Sequence, residues 1–229
     1  MNIKLYRRFY INRLLHPGEF KRTQKMRWIE TNKDYSLKPY DDNNCIFVHI
    51  PRCAGVSLSK TLFGNLGGGH YTIDDYSMIF NPNEFKTYFK FSIVRNPWDR
   101  LVSAYLYLKG GGIGDPDRIW FENNIAQYPD FHTFVKEWLN ENNIWKWYHF
   151  KPQYSFICID NTIAVDFLGR YESLQQDFNN IARTLNIKTV LIRENKTERN
   201  NYRDYYDDET KELVASVYDK DIKLFEYFF

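Results

Sequence analysis

Two short stretches of this 229-residue chain place anion-binding chemistry at the ends of predicted strands. The first, CIFVHIPRCAGVSLSKTLFG (45–64), reads as an apolar strand over 45–50, closed by Pro51 and followed by a helix from about 57 to 64. Small residues at Ala54 and Gly55 let backbone approach an anion, Ser57 is placed to cap the helix through Leu58, and Arg52 adds a fixed cation with a fork of donors. The triphosphatase pattern G-x-x-x-x-G-K-[ST] is absent. The second stretch, YFKFSIVRNPWDRLVSAYLYLK (88–109), ends a strand at Arg95. Asn96 reads as a helix cap, Pro97 as the first helical residue, and Ser103 lies two turns further on. Two such cradles imply a ligand with two anionic groups, in the manner of a nucleotide.

The elements that carry these stretches alternate. Strands over 45–50, 88–95 and the run to Gly169 are separated by helices. The segment SFICIDNTIAVDFLGRYESL (155–174) reads as a hairpin over Asp160–Asn161 that continues as a strand. Further helices are expected near 173–186 and 208–219, with a short one at the C-terminus, and residues 115–150 read as helical and aromatic. This order predicts an α/β fold, a single domain with a central, mainly parallel sheet flanked by helices, whose ligands sit beyond the carboxyl ends of the strands.

Composition narrows the class. Hydrophobic residues make up 43% and aromatics 18%, enough for a folded core. No apolar run is long enough for a membrane span, and a soluble, cytoplasmic protein is expected. Cys45, Cys53 and Cys158 follow no metal or disulfide spacing, and Cys45 and Cys158 read as core. Residues 1–40 hold ten Lys and Arg against three Asp and Glu, a surplus of seven in a chain of net charge +2, so the remainder carries −5. The expected division is a basic extension, 1–40, that includes an amphipathic helix, and a main domain, 41–229. The helix either contacts a polyanion or membrane surface, or packs its Leu and Phe on the domain; packing is the simpler account.

FVHIPRCAGVSL followed by FKFSIVRNPWDRLVSAYLYL resembles the two cofactor-binding motifs of sulfotransferases, in the branch of the heparan and chondroitin O-sulfotransferases with their bacterial members. The similarity extends through HFKPQYSFICIDNTIAVDFLGRYESLQQDF and NYRDYYDDETKELVASVYDKDIKLFEYFF, over roughly 45–229. The resemblance implies the P-loop-nucleotide-hydrolase-like sulfotransferase fold. It also implies sulfuryl transfer from 3′-phosphoadenosine 5′-phosphosulfate (PAPS) to a hydroxyl, on a carbohydrate acceptor, with no metal. Carried over by position, Arg52, Cys53, Ala54, Gly55, Val56, Ser57 and Leu58 would hold the 5′-phosphosulfate, and Arg95 and Ser103 the 3′-phosphate. Trp98 and Asp99 fall to structure, Asp99 suiting the helix dipole. The usual loop reads P-K-T-A-G-T-S. Arg52 in place of Lys keeps the charge but donates a proton less readily, and Val56 removes a hydroxyl. The alternative reading is therefore a protein that binds the nucleotide and is weakened in catalysis. A nucleic-acid binder needs neither cradle, and a kinase would need a Walker lysine and a metal-binding carboxylate.

A base for the acceptor proton is sought among five histidines. His16 and His132 read as incidental and His49 as an interior residue. His70 follows GNLGGG, where the family carries its presumed base, and is the first candidate, against simple packing beside Tyr71. His149 is the second, as base or acceptor contact. Arg170, at another strand end, contacts donor or acceptor or pairs with a carboxylate such as Glu172. In the late loop Lys196, Arg199 and Tyr202 stand where the family closes over the nucleotide, with a solvated charge run as the simpler reading. Trp145 and Trp147, beside Tyr148, are the candidates for stacking on sugar rings, whereas Phe131, Phe134 and Trp138 have core spacing.

Overall fold

The computed structural model describes residues 3–33, 35–192 and 200–229. Helices α1 (Ile3–Leu15) and α2 (Pro17–Met26) open the chain, with Pro17 at the first turn, where its missing N–H costs nothing. A short α3 (Lys38–Asp42) leads to β1 (Cys45–Val48), buried throughout, and then to α4 (Gly55–Phe63). Helices α5 (Ile73–Ile79) and α6 (Pro82–Thr87) each begin with a reciprocal cap, Thr72 with Asp75 and Asn81 with Glu84. Strand β2 (Phe89–Val94) precedes α7 (Pro97–Lys109), and there the expected cap is present: Asn96 Oδ1 accepts the Trp98 N–H at 3.1 Å. The aromatic stretch that follows is less continuous than expected, forming α8 (Asp115–Asn124), α9 (Phe131–Glu137) and a single 3-10 turn at Asn143–Trp145. A one-turn α10 (Tyr154–Ile157) enters the hairpin β3 (Cys158–Ile159) and β4 (Thr162–Ile163), whose turn residues Asp160 and Asn161 have φ of 50° and 62°. After β5 (Phe167–Arg170) come α11 (Leu174–Thr184), α12 (Asp208–Val217) and α13 (Asp219–Phe225).

The α/β class holds. The chain divides into two compact units, Met1–Val94 with Ser155–Glu194, and Arg95–Tyr154 with Asn195–Phe229. The first contains a three-stranded parallel sheet in the order β1-β2-β5, with Val48 paired to Ser92 and Val94 to Arg170. The run 162–170 does not continue as one strand: β3 and β4 form a separate antiparallel pair. Phe47 stacks on Phe91 with ring centres 5.0 Å apart, and each such buried side chain contributes about 1.5–3 kcal/mol. Cys45 is part of this core, and burial pushes its thiol up to about 12.

The basic first helices belong to this same unit. Arg8 pairs with Asp74 and, at 3.4 Å, with Asp160; Arg27 binds Asp41 at 2.8 Å and Glu84 at 3.1 Å and lies over the Phe80 ring. Phe9 packs inward while Leu14 and Leu15 stay exposed, so the helix packs only in part as expected.

The second unit is built on α7. Its Leu101, Val102, Tyr105 and Leu108 are buried as their spacing predicts, against Phe131, Phe134, Trp138 and Phe150. Tyr105 stacks on Phe134 at 5.1 Å, which places the aromatic helical residues in the core.

Candidate functional site

The chain leaves β1 through His49 and Ile50 and turns at Pro51–Ala54. Arg52 and Ala54 take left-handed backbone, with φ of 67° and 61°, at roughly 1–2 kcal/mol each for residues with a Cβ. Ala54 holds the cap position of α4 and has no side-chain acceptor to offer the first-turn N–H groups. Ser57 is therefore not the cap expected of it. It is the third residue of a helix that begins two residues earlier than predicted, and its side chain is buried. A turn with alternate left-handed residues running into a helix start not capped by a side chain suits an anion. Arg52, Ala54 and Val56 are half-buried; Cys53, Gly55 and Leu58 are buried, and the Cys53 thiol lies 3.7 Å from the Pro51 carbonyl oxygen.

Gly55 is required by space. A Cβ there would fall 1.7 Å from His49 Cδ2, because the imidazole lies against the start of α4. The His49 ring in turn meets the His70 ring at 4.4 Å, and His70 Nδ1 is 3.0 Å from the His49 carbonyl oxygen. A carbonyl only accepts, so Nδ1 carries the proton and the neutral ring holds its basic lone pair on Nε2. The turn before His70 depends on Gly67, with φ of 59° and room for a Cβ closed off by the Tyr40 hydroxyl at 2.7 Å. Asn65 braces it, accepting the Gly67 N–H at 2.6 Å. Within one unit the candidate anion loop and the candidate base are thus joined through His49, which its strand position had suggested was only interior.

Arg170 stands at the carboxyl end of β5, level with Val94 of β2, as its position in the sequence implies. Its backbone N–H donates to Asp177 at 2.8 Å, and Asp177 also accepts from the Ser173 hydroxyl, which secures the turn beyond the strand.

In the second unit Arg95 is held from three directions. Its N–H donates to Gln153 Oε1 and its carbonyl accepts from Gln153 Nε2, both at 2.8 Å, while Nε donates to Asp99 at 2.7 Å. Asp99 thus serves structure through Arg95, besides standing at the helix start. Gln153 is fixed by Asp221, whose carboxylate accepts the N–H groups of Gln153 and Tyr154 at 2.6 and 2.8 Å. Burial pushes the Asp221 carboxyl up to about 6 against those donors. Ser103 lies buried along α7.

His149 is only 4% exposed, and its Nε2 is 3.5 Å from Asp117 Oδ1. That carboxylate also accepts from Trp147 Nε1 at 3.1 Å, from the hydroxyls of Tyr148 at 3.0 Å and Tyr107 at 2.9 Å, and from the Ile113 N–H at 3.2 Å. Burial acts to raise its pKa, but the His149 contact, its charge and the donors outweigh this and hold Asp117 well below the usual carboxylate range. Trp147 is further stacked on Trp120 at 5.1 Å, whereas Trp145 is 44% exposed. Tyr202 packs edge-on to Phe229 and under Arg203. Lys196 and Arg199 lie outside the described residues. Asp117, Gln153 and Asp221 were missed by motif reasoning, since each acts through partners distant in sequence. Among the described residues no group of acidic, His and Cys side chains could hold a metal ion, and no helix is long and apolar enough to cross a membrane.

A model of the sulfotransferase family matches residues 38–228, which include the anion loop, the candidate base and the α7 motif. The chain belongs to the sulfotransferase family. It is 24% identical to carbohydrate sulfotransferase 11 of Rattus norvegicus, over 74% of this chain and 58% of that protein, and shows the same identity to the Mus musculus protein. An uncharacterized protein of Archaeoglobus fulgidus is 31% identical over 52% of this chain and 86% of its own length. This family member spans a little over half the length of the carbohydrate sulfotransferases it matches. No solved structure matches it significantly.

Proposed function

We propose that the chain transfers a sulfuryl group from PAPS to a hydroxyl, on a carbohydrate acceptor. The observation that carries this reading is the contiguous set Gly55–His49–His70, which ties an anion-binding helix start to a histidine whose Nε2 is the basic nitrogen. The Arg52–Leu58 turn fits the phosphosulfate end, since its backbone is shaped for an anion and Arg52 adds charge. The buried Arg95, tethered to Gln153 and Asp99, and the buried Ser103 are assigned to the 3′-phosphate, with Arg170, Arg199 and Tyr202 as further donor contacts. Trp145 and, less directly, Trp147 and His149 are assigned to the acceptor side. The first 40 residues are a basic extension of the family domain that packs within the first unit.

The donor supplies an activated sulfuryl group and no metal is required. His70 Nε2 takes the acceptor's hydroxyl proton as the new S–O bond forms. Arg52 faces the charge that appears on the phosphate oxygen when the old S–O bond breaks, and fixed donors placed for that charge are the largest source of rate. Arg52 and Val56 favour one other reading, a nucleotide-binding protein of weak activity.

Thermal unfolding with adenosine 3′,5′-bisphosphate or ATP tests the donor site. At 100 times its dissociation constant the bisphosphate stabilises by about 2.7 kcal/mol, ATP by clearly less, and Arg95→Ala removes the effect. No stabilisation, or equal stabilisation by ATP, would exclude PAPS as donor. Stabilisation without transfer to any saccharide would favour the weak-activity reading.

A further inference from the structure

Arg95 sits between two regular elements and belongs to neither. It follows Val94, the last residue of β2, and precedes Asn96, the cap of α7, so its main chain needs partners from elsewhere. Gln153 supplies both. Its side-chain amide accepts the Arg95 N–H and donates to the Arg95 carbonyl, each at 2.8 Å, much as a neighbouring strand would. Gln153 is fully buried, and its own place is set from α13, where the Asp221 carboxylate accepts the N–H groups of Gln153 at 2.6 Å and Tyr154 at 2.8 Å. Helix α7 holds the same segment as well, Arg100 donating to the Lys151 carbonyl at 2.9 Å.

Such a chain is costly for a fold alone. A carboxylate with no exposed surface gives up its hydration, and two main-chain N–H groups return only part of that. What the chain achieves is rigidity at one arginine. Hydrogen bonds run in series from Asp221 through Gln153 to the main chain of residue 95, while Asp99 takes the Arg95 Nε at 2.7 Å. Backbone and side chain of Arg95 are both fixed before a ligand arrives, and a preorganised contact spends little of its binding energy on ordering.

We propose that Gln153 and Asp221 are positioning residues of the donor site, acting on the 3′-phosphate through Arg95 without touching it: Gln153 holds the main chain of Arg95, and Asp221 holds Gln153. The inference rests on the assignment of Arg95 to that phosphate. Titration calorimetry with adenosine 3′,5′-bisphosphate and with adenosine 5′-phosphate gives a preference ratio for each protein. Wild type is expected to favour the bisphosphate by about tenfold or more, the return from charge-assisted contacts to one phosphate. Gln153→Met keeps the bulk of the side chain, removes both hydrogen bonds and lowers the ratio several-fold. Asp221→Asn retains one acceptor oxygen and lowers it less. Arg95→Ala brings the ratio near one, and adding Gln153→Met to Arg95→Ala changes it no further, since nothing is left to position. A merely structural role would lower both affinities alike and leave the ratio at its wild-type value. That result in Gln153→Met, or effects of Gln153→Met and Arg95→Ala that add, would overturn the proposal while the donor reading stands. Should Gln153→Met fail to fold, Asp221→Asn carries the same decision. No preference in wild type, or binding of neither nucleotide, would overturn the donor reading and the proposal with it.

Discussion

His70 Nδ1 stands 3.0 Å from the His49 carbonyl, and this contact turns a histidine in a glycine-rich loop into one with a defined tautomer. With Nδ1 as the donor, Nε2 is the nitrogen through which the proposed base would accept a proton. Replacing His70 with Ala is expected to lower kcat by about 10²–10⁴-fold while bisphosphate affinity holds, read by steady-state kinetics beside a binding titration. An equal loss of nucleotide affinity would instead mark the residue as part of the loop's packing. Residue type and spacing pointed to Arg52 and Arg95 as anion contacts, and the family resemblance to His70 as the candidate base. They were silent on His49, because a histidine in an apolar strand has the same pattern whether its ring faces only core or also supports a neighbour.

At the scale of elements, α7 and the turns around α8 hold the second unit's polar groups. Asn96 caps α7, as its place before Pro97 announces, and its Nδ2 also donates to the Phe228 carbonyl at 2.8 Å. Asp117, in the first turn of α8, gathers Tyr107, Trp147, Tyr148 and His149 around one buried carboxylate. Loss of that acceptor strands the buried His149 and leaves three half-buried donors without their shared carboxylate. Asp117→Ala is therefore expected to destabilise by roughly 3–5 kcal/mol, measured by urea denaturation. Caps and strand ends were legible because their partners lie within four residues. Asp117 was not, since its side-chain partners come from positions 10 to 32 residues away and the sequence shows only a carboxylate near a helix start.

Across the whole molecule, charge is sorted by sequence and then partly cancelled by packing. The surplus of seven in residues 1–40 faces acids of the −5 remainder, Arg8 meeting Asp74 and Asp160, and Arg27 meeting Asp41 and Glu84. Stability against pH carries a further imprint. Asp221 has a folded pKa of about 6, above the ordinary carboxylate value near 4, so the fold binds its proton more tightly than the unfolded chain does. Its contribution is complete below about pH 4 and is lost as pH rises through about 6, a change of up to ~3 kcal/mol. Denaturation curves between pH 4 and 7 should show this loss in wild type and not in Asp221→Asn. An identical pH slope in both proteins would remove Asp221 as its source.

The sequence by itself determined the α/β alternation, the strand ends at which Arg52, Arg95 and Arg170 stand, the Asn96 cap and the Asp160–Asn161 turn. All of these follow from periodicity and from contacts within a few residues. Tertiary structure alone decided that position 55, the first residue of α4, must be glycine, because the His49 ring packed against it excludes a Cβ there. It decided as well that Asp117 and Asp221 are buried hubs, and that Gln153 holds the main chain of Arg95 from 58 residues away. Those facts depend on which distant side chains share one small volume, and local propensity carries no record of that.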